Sequence, residues 1–415
     1  MKFSIGKTFL LGLGFFGVSV IWSVYNAYVP VMLEEKFLLI PGFIGMFMTL
    51  DNIAALFIQP PVGAWSDRLR TAIGRRMPFI IIGAPIAAIA FAILPLAASL
   101  FLFFLAATAM LLSMAVWRTP VVALMPDITP SPYRSQANGI INFMGGLGAI
   151  IAFIGGASLY KMNPTYPFWL GSVLVILSAI LVFIFIKEPK EYKVKPEETP
   201  NLIESIQFIL KDKDRSALRL LLAIFFWFIA YNGLEAFFTL YGKNHLGLPV
   251  EDGARLLGQL SLLFVLFSLP AGYIGAAVGR RRTILSGILL MAACVAVIFL
   301  LPISTLTVIL TTLPIIGSVP VIGLILMIIG TAWALININS LPMVVDMTDS
   351  SRIGTYTGLY YLFSTLAAIA GPTLYGWIVE LSGRQYNLLM LVSPIALILA
   401  AYCMLGVRRG ESLKT

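Results

Sequence analysis

The sequence predicts an all-α integral membrane protein with twelve transmembrane helices in two pseudo-symmetric six-helix bundles. Three observations support this prediction: the composition, a series of apolar runs long enough to cross a bilayer, and motifs that recur in both halves. Of the 415 residues, 59% are hydrophobic and 11% are charged, whereas a soluble domain has about 25% charged residues. Such a composition is typical of a chain that crosses the membrane many times.

The apolar runs predict twelve spans of about 20 residues or more. They cover residues 8–33, 40–65, 78–97, 100–125, 135–158, 167–186, 217–242, 253–278, 283–301, 319–343, 354–379 and 386–406. Residues 302–318 are also apolar, but counting them as a span would place the arginines at 280–282 on the opposite side from Asp346 and Arg352. We therefore interpret this stretch as an external hydrophobic loop or helix extension.

The basic residues of the loops predict the orientation. Lys and Arg are concentrated in alternate loops, which the positive-inside rule assigns to the cytoplasm. The other side has only Lys36, Lys161, Lys243, Arg255 and Arg384. We therefore expect the chain to lie in the cell (inner) membrane, in contact with the lipid bilayer and with both termini in the cytoplasm. Because the net charge of +9 belongs to these loops, nucleic acid is not an expected partner.

A long charged segment divides the chain into two sets of six spans. We predict an N-terminal six-helix bundle at 1–186, a cytoplasmic linker at 187–216 and a C-terminal six-helix bundle at 217–415. Within the linker, Asn201 and Glu204 resemble a capping box, and apolar residues around them share one helical face. This pattern predicts a short interfacial helix.

Three motifs of the first half return in the second half. The pairs are Tyr25-Asn26-Ala27 with Tyr231-Asn232-Gly233, Pro61-x-Gly63 with Pro270-x-Gly272, and Asp127…Arg134…Gly139 with Asp346…Arg352…Gly358. Their offsets are 206, 209 and 219 residues, so the order of the elements is kept. Duplicated six-helix halves are the architecture of alternating-access carriers. One departure is that Ala276 stands where the first half has Asp67.

The loop after the second span contains Gly63-x-x-x-Asp67-Arg68 followed by Gly74-Arg75-Arg76. This pattern resembles the signature of the loop between helices 2 and 3 in the major facilitator superfamily, which implies that superfamily's fold. We expect Asp67 and Asp127 to lie near the arginines of this region at a cytoplasmic gate. The predicted gate comprises Gly63, Asp67, Arg68, Arg75, Arg76, Asp127, Arg134, Asp346 and Arg352.

Two stretches, IQPPVGAWSDR…GRRMPFI and WRTPVVALMPDITPSPYRSQANGIINFMGGLGA, resemble the sucrose-transporter and glycoside–pentoside–hexuronide:cation symporter branch of that superfamily. The resemblance implies a cation-coupled carrier for sugars or glycosides. Melibiose-type carriers of this branch have carboxylates on helices 2 and 4. Here those positions are held by Gln59 and Arg118, so their sodium site is not carried over and a proton is the expected coupling cation.

Three ionisable residues lie well within predicted spans: Asp51, Arg118 and Glu235. A charge at the centre of a bilayer costs at least about 2.5–3.5 kcal/mol, and for that reason such residues usually have a function. A carboxyl group whose pKa changes with its surroundings can bind a proton on one side and release it on the other. We predict that these residues couple transport to the cation. The alternative is a static buried salt bridge that holds helices together.

Sugar recognition requires hydrogen-bonding side chains and flat aromatic faces. On helices 1, 4, 7 and 10, which line the cavity in the superfamily that the chain resembles, the candidates are Tyr25, Asn26, Trp117, Asn232, Trp333, Asn337 and Asn339. Asn337 and Asn339 are two residues apart, so they point to different sides of one helix and at most one faces a cavity squarely. Each Asn has the alternative of an interhelical hydrogen bond, and each aromatic residue that of packing.

These observations predict a proton-coupled symporter of a sugar or glycoside, acting as a monomer by alternating access. The alternative within the same fold is a proton-coupled antiporter that exports small amphipathic compounds. An intramembrane enzyme or sensor would need a nucleophile, a metal cluster or a signalling domain, and the sequence has no motif for any of them. We therefore expect no enzymatic activity, no cofactor and no metal.

Overall fold

The structure is a computed structural model that describes residues 4–129, 133–188, 214–348 and 352–411. Within these ranges it is nearly all helical, and twelve helical segments are long and apolar enough to cross a membrane. This result confirms the predicted all-α, twelve-span fold class. We number these segments span 1 to span 12 in chain order.

The helices of the first half match the predicted spans to within a few residues. They are Ile5–Glu35, Pro41–Phe47, Leu50–Arg68, Met77–Ile93, Leu100–Ile128, Arg134–Ile150, Gly156–Met162 and Tyr166–Phe185. Span 2 contains Pro41–Phe47 and Leu50–Arg68, and in span 5 a π-helical turn, Ile151–Gly155, joins two helices.

The second half has six long helices and one irregular connection. The long helices are Ser216–Asn244, Val250–Val278, Arg280–Leu300, Val321–Val345, Ile353–Leu381 and Leu388–Leu405. Between spans 9 and 10 lie a one-turn helix, Ile303–Leu306, and the strands β1 (Ile309–Leu313) and β2 (Gly317–Pro320).

The apolar stretch 302–318 is therefore not a span, as expected, but neither is it a plain loop or a helix extension. β1 and β2 pair antiparallel, with Ile309 opposite Pro320 and Leu313 opposite Gly317. Three of the five residues of β1, Ile309, Thr311 and Thr312, are β-branched, and β-branched residues favour strand over helix. The predicted interfacial helix in the linker lies outside the described residues.

Span 2 is interrupted in the middle, where the sequence predicts one continuous helix. The helix Pro41–Phe47 ends just before Thr49, whose hydroxyl donates a 2.7 Å hydrogen bond to the carbonyl of Met46. A new helix begins at Leu50 and has Asp51 in its first turn. The partial positive charge of a helix N-terminus stabilises a carboxylate at that place.

Contacts divide the chain into two compact units. The first unit comprises Met1–Leu39, Leu50–Val194 and Pro249–Gly258, and the second comprises Ile40–Thr49, Lys195–Leu248 and Gln259–Thr415. Each unit is thus made mainly of one half of the chain, with a short segment from the other half. The predicted bundle boundaries at 186 and 217 stay predictions.

Within the second unit, the short helix Pro41–Phe47 packs against span 11. A Cβ atom on Gly45 would collide with the main-chain carbonyl of Pro372. Phe43 and Trp377 flank this contact, with ring centroids 6.0 Å apart. Small residues that let two helix backbones approach are a common way of packing helices in membranes.

We predict that Gly45→Ala destabilises the protein by about 1–3 kcal/mol, the usual cost of over-packing a tight contact. The matched control is Gly358→Ala in span 11, where a Cβ atom would meet nothing within 4 Å. That substitution should be neutral or stabilising by up to about 1 kcal/mol, because Ala is the better helix former. Thermal melting of the two purified variants checks this. Equal melting temperatures would show that the Gly45 contact has no energetic weight.

Candidate functional site

Three of the predicted site residues, Tyr25, Asp51 and Arg118, lie together in the first unit. The half-buried Asp51 carboxylate accepts a 2.8 Å hydrogen bond from the side-chain amide of Asn52. Arg118 of span 4 and Tyr25 of span 1 both lie close enough to interact electrostatically with it. The structure therefore brings together a carboxylate, a guanidinium and a phenol from spans 1, 2 and 4.

Span 1 also presents two unsatisfied donors beside this group. The hydroxyl of Tyr25 and the indole N–H of Trp22 are buried, and neither has a hydrogen-bond partner among the described residues. Their rings meet edge to face, with centroids 5.6 Å apart, and the half-buried Asn26 is the next residue after Tyr25. Buried donors are normally hydrogen-bonded, so this pair marks a place suited to a polar ligand.

Trp22 was not among the residues selected from the sequence. It is neither ionisable nor part of the repeated Tyr-Asn motif. The available signal was its spacing, because a residue three positions before Tyr25 lies on the same face of a helix.

Trp117 occupies a packing position. The side chain is fully buried, and its indole N–H lies 3.1 Å from the sulfur of Met114. A Cβ atom on Gly83 of span 3 would lie 2.7 Å from the Trp117 Cβ. These contacts fit the packing alternative better than contact with a substrate.

An aromatic cluster surrounds Trp333 in the second unit. Tyr231 stacks on Trp333 with ring centroids 3.9 Å apart and planes 6° apart. Phe228 meets the Trp333 ring edge-on at 5.3 Å. Tyr231 also interacts electrostatically with Glu235, one helical turn further along span 7. The stack therefore connects the predicted coupling carboxylate to the predicted aromatic contact.

Tyr231 is a second residue of the site that is not among the candidates predicted from the sequence. The sequence identified it as the repeat of Tyr25 but did not assign it to the site. Its signal was the offset of 206 residues, which places both tyrosines at equivalent positions of spans 1 and 7.

The predicted asparagines have different surroundings. The amide of Asn232 donates to the Phe228 carbonyl of its own helix at 2.8 Å. Asn339 is buried, and its amide donates to the carbonyl of Ala271 on span 8 at 3.0 Å. That contact is the interhelical bond considered as the alternative for Asn339. Asn337 is half-buried.

The arginine cluster of the first unit consists of Arg75, Arg76, Asp67 and Asp127. Asp127 accepts from Arg75 at 2.6 Å and from Arg76 at 3.0 Å. Asp67 lies 2.5 Å from Arg76 and 3.8 Å from Arg75. Both arginines are buried, whereas the Asp67 side chain is 52% exposed. Both carboxylates thus lie next to these arginines, and the cytoplasmic gate stays a prediction.

The remaining predicted gate residues have other surroundings. Gly63 faces Thr119 of span 4, which a Cβ atom would meet at 3.5 Å. The side chains of Arg68 and Arg352 are exposed. The side chain of Arg134 lies outside the described part of the structure.

Glu188 completes the cluster and was not predicted. Its carboxylate accepts hydrogen bonds from the main-chain N–H groups of Arg75, Arg76 and Met77 at 2.9, 3.0 and 2.7 Å. It therefore caps the N-terminus of span 3, where the helix dipole favours a negative charge. The Ser66 hydroxyl contacts the Arg76 guanidinium on the other side.

The second unit repeats this arrangement with other residues. Arg280 forms an ion pair with Asp346. Glu411 accepts from the main-chain N–H groups of Arg280 and Arg281 at 2.7 and 3.0 Å, as Glu188 does in the first unit. The Arg-to-Asp separation is 52 residues in the first unit and 66 in the second, and the longer connection between spans 9 and 10 contributes to this difference. One pattern in the sequence could have indicated the two glutamates, since each follows the last span of its half by a few residues.

A third carboxylate caps the start of span 7. Asp214 accepts from the hydroxyl and the main-chain N–H of Ser216 at 2.7 and 2.9 Å. These hydrogen bonds lower the pKa of Asp214. A depressed pKa in the folded state means that the cap is retained above the ordinary Asp range and is lost only as the pH falls through the lowered value.

We predict that Asp127→Asn destabilises the protein by about 3–5 kcal/mol, since it leaves two buried guanidiniums without their shared carboxylate. The matched control is Asp67→Asn, which removes a half-exposed partner of the same arginines and should cost about 0–1 kcal/mol. Melting in detergent checks the difference. If both variants melted together, the buried pairing would not be what holds the ends of spans 2, 3 and 4.

A family model described as Major Facilitator Superfamily matches residues 11–372 and 260–414. The chain belongs to this superfamily. It is therefore a multi-pass membrane transporter rather than an enzyme.

Solved structures of major facilitator superfamily transporters have the same fold. The nucleoside transporter NupG superposes with a TM-score of 0.76 at 14% identity, over 97% of this chain and 100% of its own. A bacterial homologue of the human lysosomal transporter Spinster gives 0.73 at 14% identity, over 96% and 95%. Identities this low show the fold alone, and they confirm the fold that the loop signature implied.

Sequence relatives come from several transporter classes. A hexuronate transporter of Bacillus subtilis (strain 168) is 26% identical over 290 residues, 64% of both chains. The sucrose transport protein SUC3 of Arabidopsis thaliana is 29% identical over 138 residues, 28% of this chain and 23% of its own. The multidrug resistance protein MdtH of Photorhabdus laumondii is 24% identical over 216 residues, 51% and 50%. The chain thus spans less than two thirds of each of these relatives.

Proposed function

We propose that this transporter is a proton-coupled symporter of a sugar or glycoside that works by alternating access as a monomer. We place it in the inner membrane with both termini in the cytoplasm. The observation that carries the proposal is the stack of Tyr231 on Trp333 beside Glu235. It puts a titratable carboxylate one side chain away from a flat aromatic surface, the pairing that a proton-coupled sugar site requires.

In this proposal Glu235 is the proton carrier. An intramembrane carboxylate has a large free-energy cost when it is ionised, so its protonation is sensitive to access of water and to bound substrate. Tyr231 couples this group to the aromatic cluster. Loading of Glu235 with a proton on one side and its release on the other would then be linked to substrate binding.

Asp51 is proposed as a second titrating group and Arg118 as the residue that modulates it. Arginine cannot deprotonate in a protein, so Arg118 changes the proton affinity of Asp51 rather than carrying the proton. The unsatisfied donors of Trp22 and Tyr25 beside Asp51 support a polar substrate, because a ligand with hydroxyl or carboxylate oxygens could accept from both. Two relatives named for sucrose and hexuronate transport support the same class.

The arginine clusters are proposed as the cytoplasmic gate. Ion pairs at such positions break and form again between conformations, so they affect rates more than substrate affinity. Asp67→Asn is therefore expected to slow turnover while the substrate dissociation constant stays close to that of the parent protein. Uptake kinetics with equilibrium binding on the same preparation measures both quantities. A variant with weaker binding and normal turnover would remove Asp67 from the gate.

A second candidate function is a proton-coupled antiporter that exports small amphipathic compounds. The observation that favours it is the aromatic character of the cluster formed by Phe228, Tyr231, Trp333 and Tyr360. A relative named for multidrug resistance points the same way. Substrate uptake driven by an inward proton gradient supports the symporter, whereas uptake driven by an outward gradient supports the antiporter.

We predict that Glu235→Gln retains exchange but loses accumulation. Glutamine imitates the protonated carboxyl group and cannot release a proton, so substrate still crosses while the gradient no longer drives it. In proteoliposomes, counterflow of a labelled sugar should remain near the parent rate, and proton-driven accumulation should fall to the equilibration level. Each proteoliposome preparation is tested with a pH gradient and with a sodium gradient.

The matched control is Glu251→Gln, the same substitution in the first turn of span 8, which should accumulate sugar normally. Loss of both exchange and thermal stability in Glu235→Gln would show a structural salt bridge. Accumulation by Glu235→Gln at the parent level, or sodium dependence without pH dependence, would contradict the proton-carrier role.

A further inference from the structure

The hairpin formed by β1 and β2 has an apolar surface that the protein itself leaves uncovered. All five residues of β1 are exposed. At the tip, Ile315 is 90% exposed. Residues 302–320 contain no charged side chain. Exposed apolar patches of this kind mark a surface that meets a membrane or a partner.

The backbone conformation at the tip of the hairpin does not favour the apolar side chain of Ile315. Ile315 has a φ angle of +71°, which a β-branched residue rarely adopts. Turns that face water use Gly, Asn or Asp at such positions. Two residues later the chain does so, with Gly317 at +80°. An isoleucine at the more exposed of the two positions indicates that the tip is in contact with an apolar environment.

The protein holds the hairpin by β2 and leaves β1 outermost. The fully buried Gln259 of span 8 donates from its amide to the carbonyl of Ser318 at 2.8 Å. Val319 of β2 is buried. One strand is thus attached to the unit, while the other strand and the tip are exposed.

The connections of the hairpin place it at the surface of the bilayer. Span 9 ends at Leu300 and span 10 begins at Val321, so both ends of the hairpin start where helices leave the membrane. With twelve spans, this loop lies on the side opposite to the chain termini. The five residues of β1 extend about 17 Å at about 3.4 Å per residue, which keeps the whole hairpin within reach of the lipid headgroups.

We propose that β1 and the tip at Ile315 insert into the lipid leaflet on the side opposite to the termini. The depth is limited by the backbone: the outer edge of β1 has N–H and C=O groups that the two-stranded sheet does not pair, and these cannot enter the hydrocarbon core. The hairpin therefore lies at the boundary between headgroups and acyl chains, where its apolar side chains contact lipid and water still reaches its edge. This inference is independent of the substrate and of the coupling cation.

Site-directed spin labelling tests the proposal. The chain has two cysteines, Cys294 and Cys403, and replacing both with Ala allows a single label at Ile315→Cys. The matched control is Gln385→Cys, an exposed polar position in the loop between spans 11 and 12 on the same side. Collision of each label with oxygen, which partitions into lipid, and with a water-soluble nickel chelate is measured in liposomes of phosphatidylethanolamine and phosphatidylglycerol.

We expect the label at position 315 to collide more with oxygen than with nickel, and the label at 385 to show the reverse. Nickel accessibility at 315 equal to that at 385 would overturn the proposal, since the tip would then lie in water. Spin–spin broadening at 315 that disappears on dilution with unlabelled protein would also overturn it, because the apolar strand would then contact a second copy of the chain. Thermal melting of each labelled protein verifies that it is folded.

Discussion

The constraint on which the first unit depends is that two guanidinium groups, those of Arg75 and Arg76, are buried at the start of span 3. A charge removed from water needs a partner at short range, because its desolvation costs several kcal/mol. Asp127 supplies that partner from span 4, Asp67 adds a second one from span 2, and Glu188 caps the helix start from the end of span 6. One ionic cluster thus ties together the ends of four spans.

The repetition of this cluster shows which parts of the duplicated half are under physical constraint. Arg280, Asp346 and Glu411 reproduce the helix cap and the ion pair, although the second half has a longer loop in between. Asp67 has no equivalent carboxylate, since Ala276 is in its place. The member of the first cluster that differs is Asp67, whose side chain is 52% exposed.

The two carboxylates within the spans, Asp51 and Glu235, have different positions relative to the repeated tyrosine in the two units. Each is associated with the tyrosine of the repeated Tyr-Asn motif, Tyr25 or Tyr231. Asp51 reaches Tyr25 from another span, at a helix start created by the interruption of span 2, whereas Glu235 lies on the same helix as its tyrosine. Pseudo-symmetry therefore conserves the position of the phenol, while the acidic group comes from a different element in each half.

The twelve spans, the repeat and the ionisable residues within the spans can all be predicted from the amino-acid sequence. These follow from local hydropathy, because every backbone polar group in a bilayer must be bonded within its own helix. The helix caps formed by Glu188 and Glu411 become visible in the folded chain, because each joins residues that are 113 or 131 positions apart. The folded chain also shows that Trp117 packs against span 3 and that Asn339 donates a hydrogen bond to span 8. It shows that Tyr231 stacks on Trp333 and that residues 309–320 form a hairpin. No local pattern encodes such contacts, because they depend on which helix faces bury against each other.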